Sequence, residues 1–386
     1  MLIKPNNKPQ NPFFSSGPCA KRPGWSTDVL NGAVLGRSHR AGIALKKIRE
    51  TIKLTKEILR IPQNYEVGIV PASDTGAIEM IMWSMLGKRP LDVLAWESFG
   101  KDWVKDVVDQ LKIKEAKIHI ADYGYIVNLN DLNFNNDIVF TWNGTTSGVC
   151  VPNGNWISDN RKGLTICDAT SAAFSMNLPW EKLDATTFSW QKVLGGEAQH
   201  GVIILSPKAI ERLETYAPDR PIPKIFQLAH NKKVNRKIYS GSTINTPSML
   251  CFEDVLDSLY WIKKIGGIEK TIEMSKKNLE RVKEGLVNSS WLEFLSNSTE
   301  NLSSTSICLK IKKKIIKSTS HEVLKDSLSK LLDFLEDEKI AYDINSYRDA
   351  PIGIRIWGGA TVSEEDIKIL MDWLEWGFQK FIRENK

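Results

Sequence analysis

Two periods alternate along most of this chain, and that alternation limits the fold more than any other feature. The segment "HRAGIALKKIRETIKLTKEILRI" places Ile48, Ile52, Thr55 and Leu59 on one helical face, and "EVGIVPAS" follows it as a short apolar run ending in small residues. The rhythm then repeats: a helix through "TGAIEMIMWSMLG", a strand in "LDVLAWES", a helix in "KDWVKDVVDQLK", then short strands in "AKIHIA", "DIVFTWN", "GLTICDA", "ATTFSW" and "GVIILS". The helical stretches space their apolar residues by three and four, whereas the strand stretches are brief and apolar. Strands of that kind are buried on both faces, so the pattern predicts an α/β fold with a mostly parallel sheet covered by helices on each side.

After about residue 255 the character changes. A long helical stretch, "CFEDVLDSLYWIKKIGGIEKTIEMSKKNLERVKEGL", leads into the polar "SNSTENLSSTS". A strand in "ICLKIK", a helix in "EVLKDSLSKLLDFLEDE" and strands in "IAYDIN" and "IGIRIWG" follow. The last helix starts at "TVSEEDI", where Ser363 can cap and Asp366 stands three residues on; Ile367, Leu370, Met371, Leu374 and Phe378 line one face. This predicts a smaller C-terminal α/β domain, and 386 residues do exceed what one compact core usually supports. A cleft between two such domains is where ligands usually sit.

Charge and cysteine usage narrow the class. The net charge is +6, from 52 Lys and Arg against 46 Asp and Glu, spread along the chain. That favours anionic partners weakly, and the densest cluster, "KIKKKIIKS" at 310–318, reads as a solvated strand edge and turn rather than a nucleic-acid site. The start has no apolar core of signal-peptide length, and no run approaches the roughly 18 apolar residues that cross a bilayer. Five scattered cysteines form no CxxC pair, so no zinc site or redox motif is expected; they read as reduced and mostly buried, in a cytoplasmic protein.

In open α/β sheets, reactive groups gather at the carboxyl ends of the strands. "GLTICDA" ends in Asp168, "ATTFSW" ends near Lys192, and "VPASDTGA" runs from strand to helix through Ser73, Asp74, Thr75 and Gly76. The last offers open backbone N–H groups and a positive dipole end, a cup for phosphate. Each also has a plain structural reading: Ser73 or Asp74 as a helix cap, Asp168 as a turn residue, Lys192 as a solvent-facing amine. Taken together, a phosphate cup, an acid for a protonated ring nitrogen and an imine-forming lysine are what a pyridoxal phosphate enzyme must supply. Lys192 follows Asp168 by 24 residues, room for strand, turn and strand, and Gly195 and Gly196 would let the chain pass close beneath such a cofactor.

At "FFSSGPC", "SHR", "SDTGA", "WNGTTSG", "CDATSAAFS", "SWQK", "YSGSTINTPSM" and "APIGIRIWGG" the chain resembles the phosphoserine aminotransferases, class V members of the fold-type I pyridoxal phosphate enzymes. The order and spacing of these segments carry the resemblance over nearly the whole chain. It implies a large domain, 26–260, with a mostly parallel seven-stranded sheet between helices. An N-terminal arm, 1–25, would contribute to the active site, and 261–386 would form the small domain. It further implies that Lys192 forms the imine to the cofactor and that Asp168 pairs with the pyridinium nitrogen. Thr145 would meet the ring hydroxyl, Gln191 the phosphate, and Trp103 would stack on the ring, although a helical tryptophan is usually core. Asn245 and Thr246 would reach the phosphate of the other subunit, which makes a homodimer part of the site. Ser73, Asp74 and Thr75 stand where other members carry a glycine-rich stretch with an arginine.

The substrates implied are glutamate and 3-phosphohydroxypyruvate, giving 2-oxoglutarate and phosphoserine in L-serine biosynthesis, with the related step of pyridoxine biosynthesis as a further use. Arginine forks suit such anions. Arg355 is the candidate clamp for the α-carboxylate, His39, Arg40 and Arg348 for the distal phosphate or carboxylate, and Ser16 for the substrate carboxylate. The alternatives are an alanine–glyoxylate type aminotransferase and a non-catalytic binding protein on the same fold; a cysteine desulfurase needs a mobile cysteine, whereas Cys308 sits in the apolar "ICLKI", and such members tend to place histidine where this chain has Gln191. No GxGxxG follows a strand, which disfavours a nicotinamide-binding protein.

Overall fold

A computed structural model describes residues 3–383. Seven strands, each anticipated by an apolar run, form one sheet: β1 (Glu66–Pro71), β2 (Leu91–Ala95), β3 (Ala116–Ile120), β4 (Asp137–Thr141), β5 (Thr165–Asp168), β6 (Ala185–Ser189) and β7 (His200–Leu205). Their spatial order is β1-β7-β6-β5-β4-β2-β3. Every neighbouring pair from β3 across to β6 is parallel, and β7 runs antiparallel to both β6 and β1. Side chains alternate between two faces, which is why consecutive residues enter different cores. Phe140, Cys167 and Ile204 join one apolar cluster, while Val139, Ile166 and Ile203 join the other.

Helices α1 (Gly42–Leu59), α2 (Ser73–Met85), α3 (Ser98–Lys105) and α4 (Pro207–Thr215) cover this sheet, with α2 lying across β6 and β7. Ile48, Ile52, Thr55 and Leu59 are all buried on α1, as their spacing requires. The helix expected through 101–112 ends at Lys105; the chain continues to Gln110 as a wider π turn, in which Leu111 N–H reaches the Asp106 carbonyl.

The long stretch beyond residue 250 is two helices, α5 (Met249–Ile265) and α6 (Ile268–Val287). Gly266 and Gly267, at φ 119° and 76°, separate them, a conformation that side-chain-bearing residues avoid. Beyond them lies an antiparallel sheet of β8 (Leu292–Phe294), β9 (Ser306–Ile311) and β10 (Gly353–Trp357), backed by α8 (His321–Asp337) and α9 (Glu364–Gly377). Ser363 caps α9 by accepting the Asp366 N–H at 3.1 Å, and Ile367, Leu370, Met371, Leu374 and Phe378 are buried.

Two expectations fail here. The lysine-rich segment is not a strand edge: β9 stops at Ile311, opposite the first residue of β8, and with no partner strand beyond it the chain coils into the short helix α7 (Lys313–Ser318). "IAYDIN" is not a strand either. Left-handed backbone at Lys339 and Asp343 breaks the extended run, leaving isolated bridges from Tyr342 to Phe13 and from Asn345 to Ile354. The N-terminal arm threads between the sheets: its Phe14 carbonyl accepts Trp357 N–H at 3.0 Å, and its Cys19 N–H donates to the Gln191 carbonyl at 2.8 Å.

Candidate active site

Strand register builds the site. Thr141 of β4, Asp168 of β5 and Thr187 of β6 stand side by side at the carboxyl end of the sheet. Asp168 is 4% exposed; one of its oxygens accepts Thr170 N–H at 3.0 Å and the other accepts the Trp103 indole N–H at 3.2 Å. Trp103 projects from α3, so two sequence-distant candidates meet directly.

β6 runs on through Trp190 and Gln191 to Lys192, which is 8% exposed. Its Nζ donates to the Ser16 carbonyl of the arm, and a Cβ on Gly17 would lie 2.5 Å from that nitrogen. Burial lowers the lysine pKa from its ordinary value, and the nearby Arg355 charge lowers it further. A buried amine of this kind is more readily neutral and nucleophilic than a surface lysine. Gly195, at φ 61°, closes the turn with its N–H on the Lys192 carbonyl, and a Cβ there would collide with the Ala20 carbonyl. That glycine therefore admits the arm.

The α2 terminus follows directly on β1. Ala72 and Ser73 adopt left-handed backbone (φ 65° and 52°), and no side chain caps the helix, so its first N–H groups stay open to an anion. Thr75 is exposed there and Ser73 half-buried, but Asp74 turns inward and is 5% exposed. Burial first, and then the Asp168 charge, hold its carboxyl well above the usual carboxylate range.

The remaining candidates divide. The Thr145 hydroxyl is buried and bonds Ser171 Oγ at 2.9 Å, with Asn143 holding Ser171 at 2.8 Å. Arg355, on β10 opposite Cys308, lays its guanidinium over the Tyr347 ring at 5.0 Å. Arg348 packs on the same ring at 4.9 Å, and its side chain pairs with Asp102 at 2.9 Å. Among the described residues, no hydrogen bond or ion pair joins His39, Arg40, Asn245 or Thr246 to Lys192, Asp168 or Arg355. Arg40, Asn245 and Thr246 are exposed and His39 is half-buried.

Glu97 carries no signal in the sequence reading; it lies two residues beyond β2, whereas Asp168 is the last residue of β5. Fully buried, it caps α3 by accepting Gly100 N–H at 2.7 Å and accepts the Thr146 hydroxyl at 3.0 Å. Burial raises its pKa to about 7. Cys308 is no mobile nucleophile: it is buried in β9 facing the Thr145 carbonyl, and burial pushes its thiol up to about 12.

Several buried polar atoms here lack a hydrogen-bond partner: Ser16 Oγ, Asp74 Oδ1, Thr187 Oγ1, Gln191 Oε1 and Arg355 Nε. Buried polar atoms are normally paired, so unpaired ones on the elements around a buried lysine fit a polar ligand. With the uncapped helix, Asp168 and Lys192, the residues present fit pyridoxal phosphate.

No protein-family model matches the chain. It is 52% identical over 376 residues to the phosphoserine aminotransferases of Methanosarcina mazei and Methanosarcina barkeri, covering 97% of this chain and 99% of each relative. Among solved structures, a phosphoserine aminotransferase from Cytophaga hutchinsonii superposes with a TM-score of 0.79 at 22% identity, covering 98% of this chain and all of that one. An alanine–glyoxylate aminotransferase from Nostoc gives 0.76 at 16% identity, covering 99% and 98%. These two show the fold, and the Methanosarcina relatives show more: the chain belongs to the phosphoserine aminotransferase family.

Proposed function

We propose that this chain is a pyridoxal phosphate-dependent aminotransferase that moves the amino group reversibly between glutamate and 3-phosphohydroxypyruvate, forming phosphoserine and 2-oxoglutarate. The observation that carries the reading is the buried amine of Lys192, three residues beyond the strand that pairs with the one ending in the buried carboxylate of Asp168. When bound, the cofactor supplies an aldehyde that condenses with amines and a ring that draws electrons from the adjoining carbon.

Each residue then has a task. Lys192 would hold the aldehyde and, when free, would carry the proton at the substrate Cα. Asp168 would keep the ring nitrogen protonated, and the Trp103 indole N–H steadies that carboxylate. Thr145 serves the ring hydroxyl. The N-terminus of α2, with Ser73 and Thr75, and Gln191 serve the phosphate. Arg355, braced by Tyr347, clamps the α-carboxylate, with Ser16 beside it. Arg348, on the other side of the same tyrosine, joins His39 and Arg40 in holding the distal anion.

A homodimer completes the reading. Leu35, Ile43, Leu250 and Tyr260 are large apolar residues at least 42% exposed. The first two flank His39 and Arg40 in the sequence, Leu250 follows Asn245 and Thr246, and Ile43 and Tyr260 line one groove where α1 packs on α5. Pairing two copies there would carry Asn245 and Thr246 to the partner's cofactor phosphate. The arm 1–25, large domain 26–260 and small domain 261–386 are the units of this assembly, and a cytoplasmic location suits five free cysteines. Among the described residues, no helix is long and apolar enough to cross a membrane.

The test is a coupled assay of purified protein with phosphoserine against aspartate as amino donor. Phosphoserine-dependent turnover is expected; preference for aspartate would overturn the substrate assignment.

A further inference from the structure

An aspartate at the mouth of a phosphate cup is a physical contradiction: an ionised carboxylate there would repel a dianionic phosphate and cancel the helix dipole. The structure resolves it. Asp74 turns inward from the first turn of α2 towards Asp168, and the Cys167 thiol, on the other face of the strand, is near enough to sense its charge. The Thr187 and Thr170 hydroxyls border the same space and favour the charged form of Asp74, but burial and the Asp168 charge outweigh them. Lys192 and Glu97 face Asp168 from the other elements. Neither aspartate has an ion-pair partner among the described residues.

Two carboxylates in one dry site do not both ionise, so the pair retains a proton. Hydrogen bonding decides where it stays. Asp168 accepts two N–H groups, from Thr170 and Trp103, so each of its oxygens already serves as an acceptor. Asp74 has a buried oxygen, Oδ1, with no partner at all. Each Asp168 oxygen keeps a lone pair free for a further donor.

We propose that Asp74 is a neutral carboxylic acid whose O–H donates to the Asp168 carboxylate, so that the two share a single negative charge behind the cofactor ring. Asp74 is thus a positioning residue acting through Asp168. It holds the orientation of that carboxylate and leaves the phosphate cup free of negative charge.

The inference rests on the cofactor reading above, and its test separates the two. Difference infrared spectra of the apoprotein are recorded at about pH 8, far above the usual carboxyl range near 4. A protonated-carboxyl stretch is expected in the unmodified protein, lost in Asp74→Asn and kept in Glu97→Gln. Absence of the band, or its loss in Glu97→Gln alone, would overturn the proposal. In parallel, fluorescence titration with pyridoxal phosphate is expected to give Asp74→Asn and Asp74→Thr, which keep a neutral donor, affinities within roughly threefold of the parent, under about 1 kcal/mol. Asp74→Ala is expected to bind at least about tenfold more weakly, the cost of one hydrogen bond to a charged group. Equal losses in all three folded variants would also overturn it. If the unmodified protein takes up no pyridoxal phosphate, the functional reading fails while the infrared result still decides the proton.

Discussion

The indole N–H of Trp103 points at a carboxylate oxygen of Asp168, 3.2 Å away, so the residue expected to face the cofactor ring is tied to the acid expected to anchor it. Trp103→Phe keeps an aromatic face and removes the donor. Hydrogen bonds to charged groups contribute about 1.5–3 kcal/mol, so pyridoxal phosphate should bind on the order of 10- to 100-fold more weakly. Titration of the apoprotein by fluorescence checks this, and unchanged affinity would show the contact to be incidental.

Lys192→Ala should remove the visible absorbance of the lysine–cofactor adduct and lower turnover by at least 10²- to 10⁴-fold, roughly what a lost acid–base group costs. Gly17→Ala is the subtler variant, since its methyl would lie 2.5 Å from the lysine nitrogen. The amine is at the end of a flexible chain and will be displaced, and Gly17 also sits at φ 143°, which alanine avoids, so adduct formation should slow and stability should fall together. Full absorbance and activity in Lys192→Ala would refute the role of this lysine.

The anion sites predict a split in Michaelis constants. Arg355→Lys loses the planar fork and should raise KM for glutamate and for phosphoserine alike, by about tenfold or more. Arg40→Ala should raise KM for the phosphorylated substrate more than for glutamate. Steady-state kinetics with both substrates distinguish the two, and equal effects of Arg40→Ala would remove it from the phosphate site.

Two buried groups should give opposite pH dependences of stability. Burial lowers the His200 pKa to about 4, and its neutral ring accepts Ser248 N–H at 3.3 Å. The unfolded imidazole gains its proton near 6.5. The histidine's contribution is therefore whole above about 6.5 and is lost as pH falls towards 4. Glu97 has the reverse sign. Its folded pKa of about 7 lies above the ordinary 4.5, so the folded protein holds the extra proton and stability declines as pH rises from about 4.5 to 7. Relative to the parent, His200→Gln should gain in urea melts on acidification, and Glu97→Gln should gain towards neutral pH. Parallel curves for parent and variant would exclude the named group as the source.

The sequence alone determined the layered α/β architecture, because every strand of the large sheet is a short apolar run and α1 shows a clear apolar stripe, whereas α2 is buried nearly all round. It also marked Lys192 and Asp168, since strand ends followed by small or polar residues are visible in one dimension. What only the tertiary structure decided depends on neighbours distant in the chain. The short helix Lys313–Ser318 exists because no strand lies alongside it, and Asp74 points inward because β5 and β6 receive it. Glu97 matters because a buried helix start closes around it. Register, burial and the meeting of side chains from separate strands are properties of the packed chain, and no local spacing encodes them.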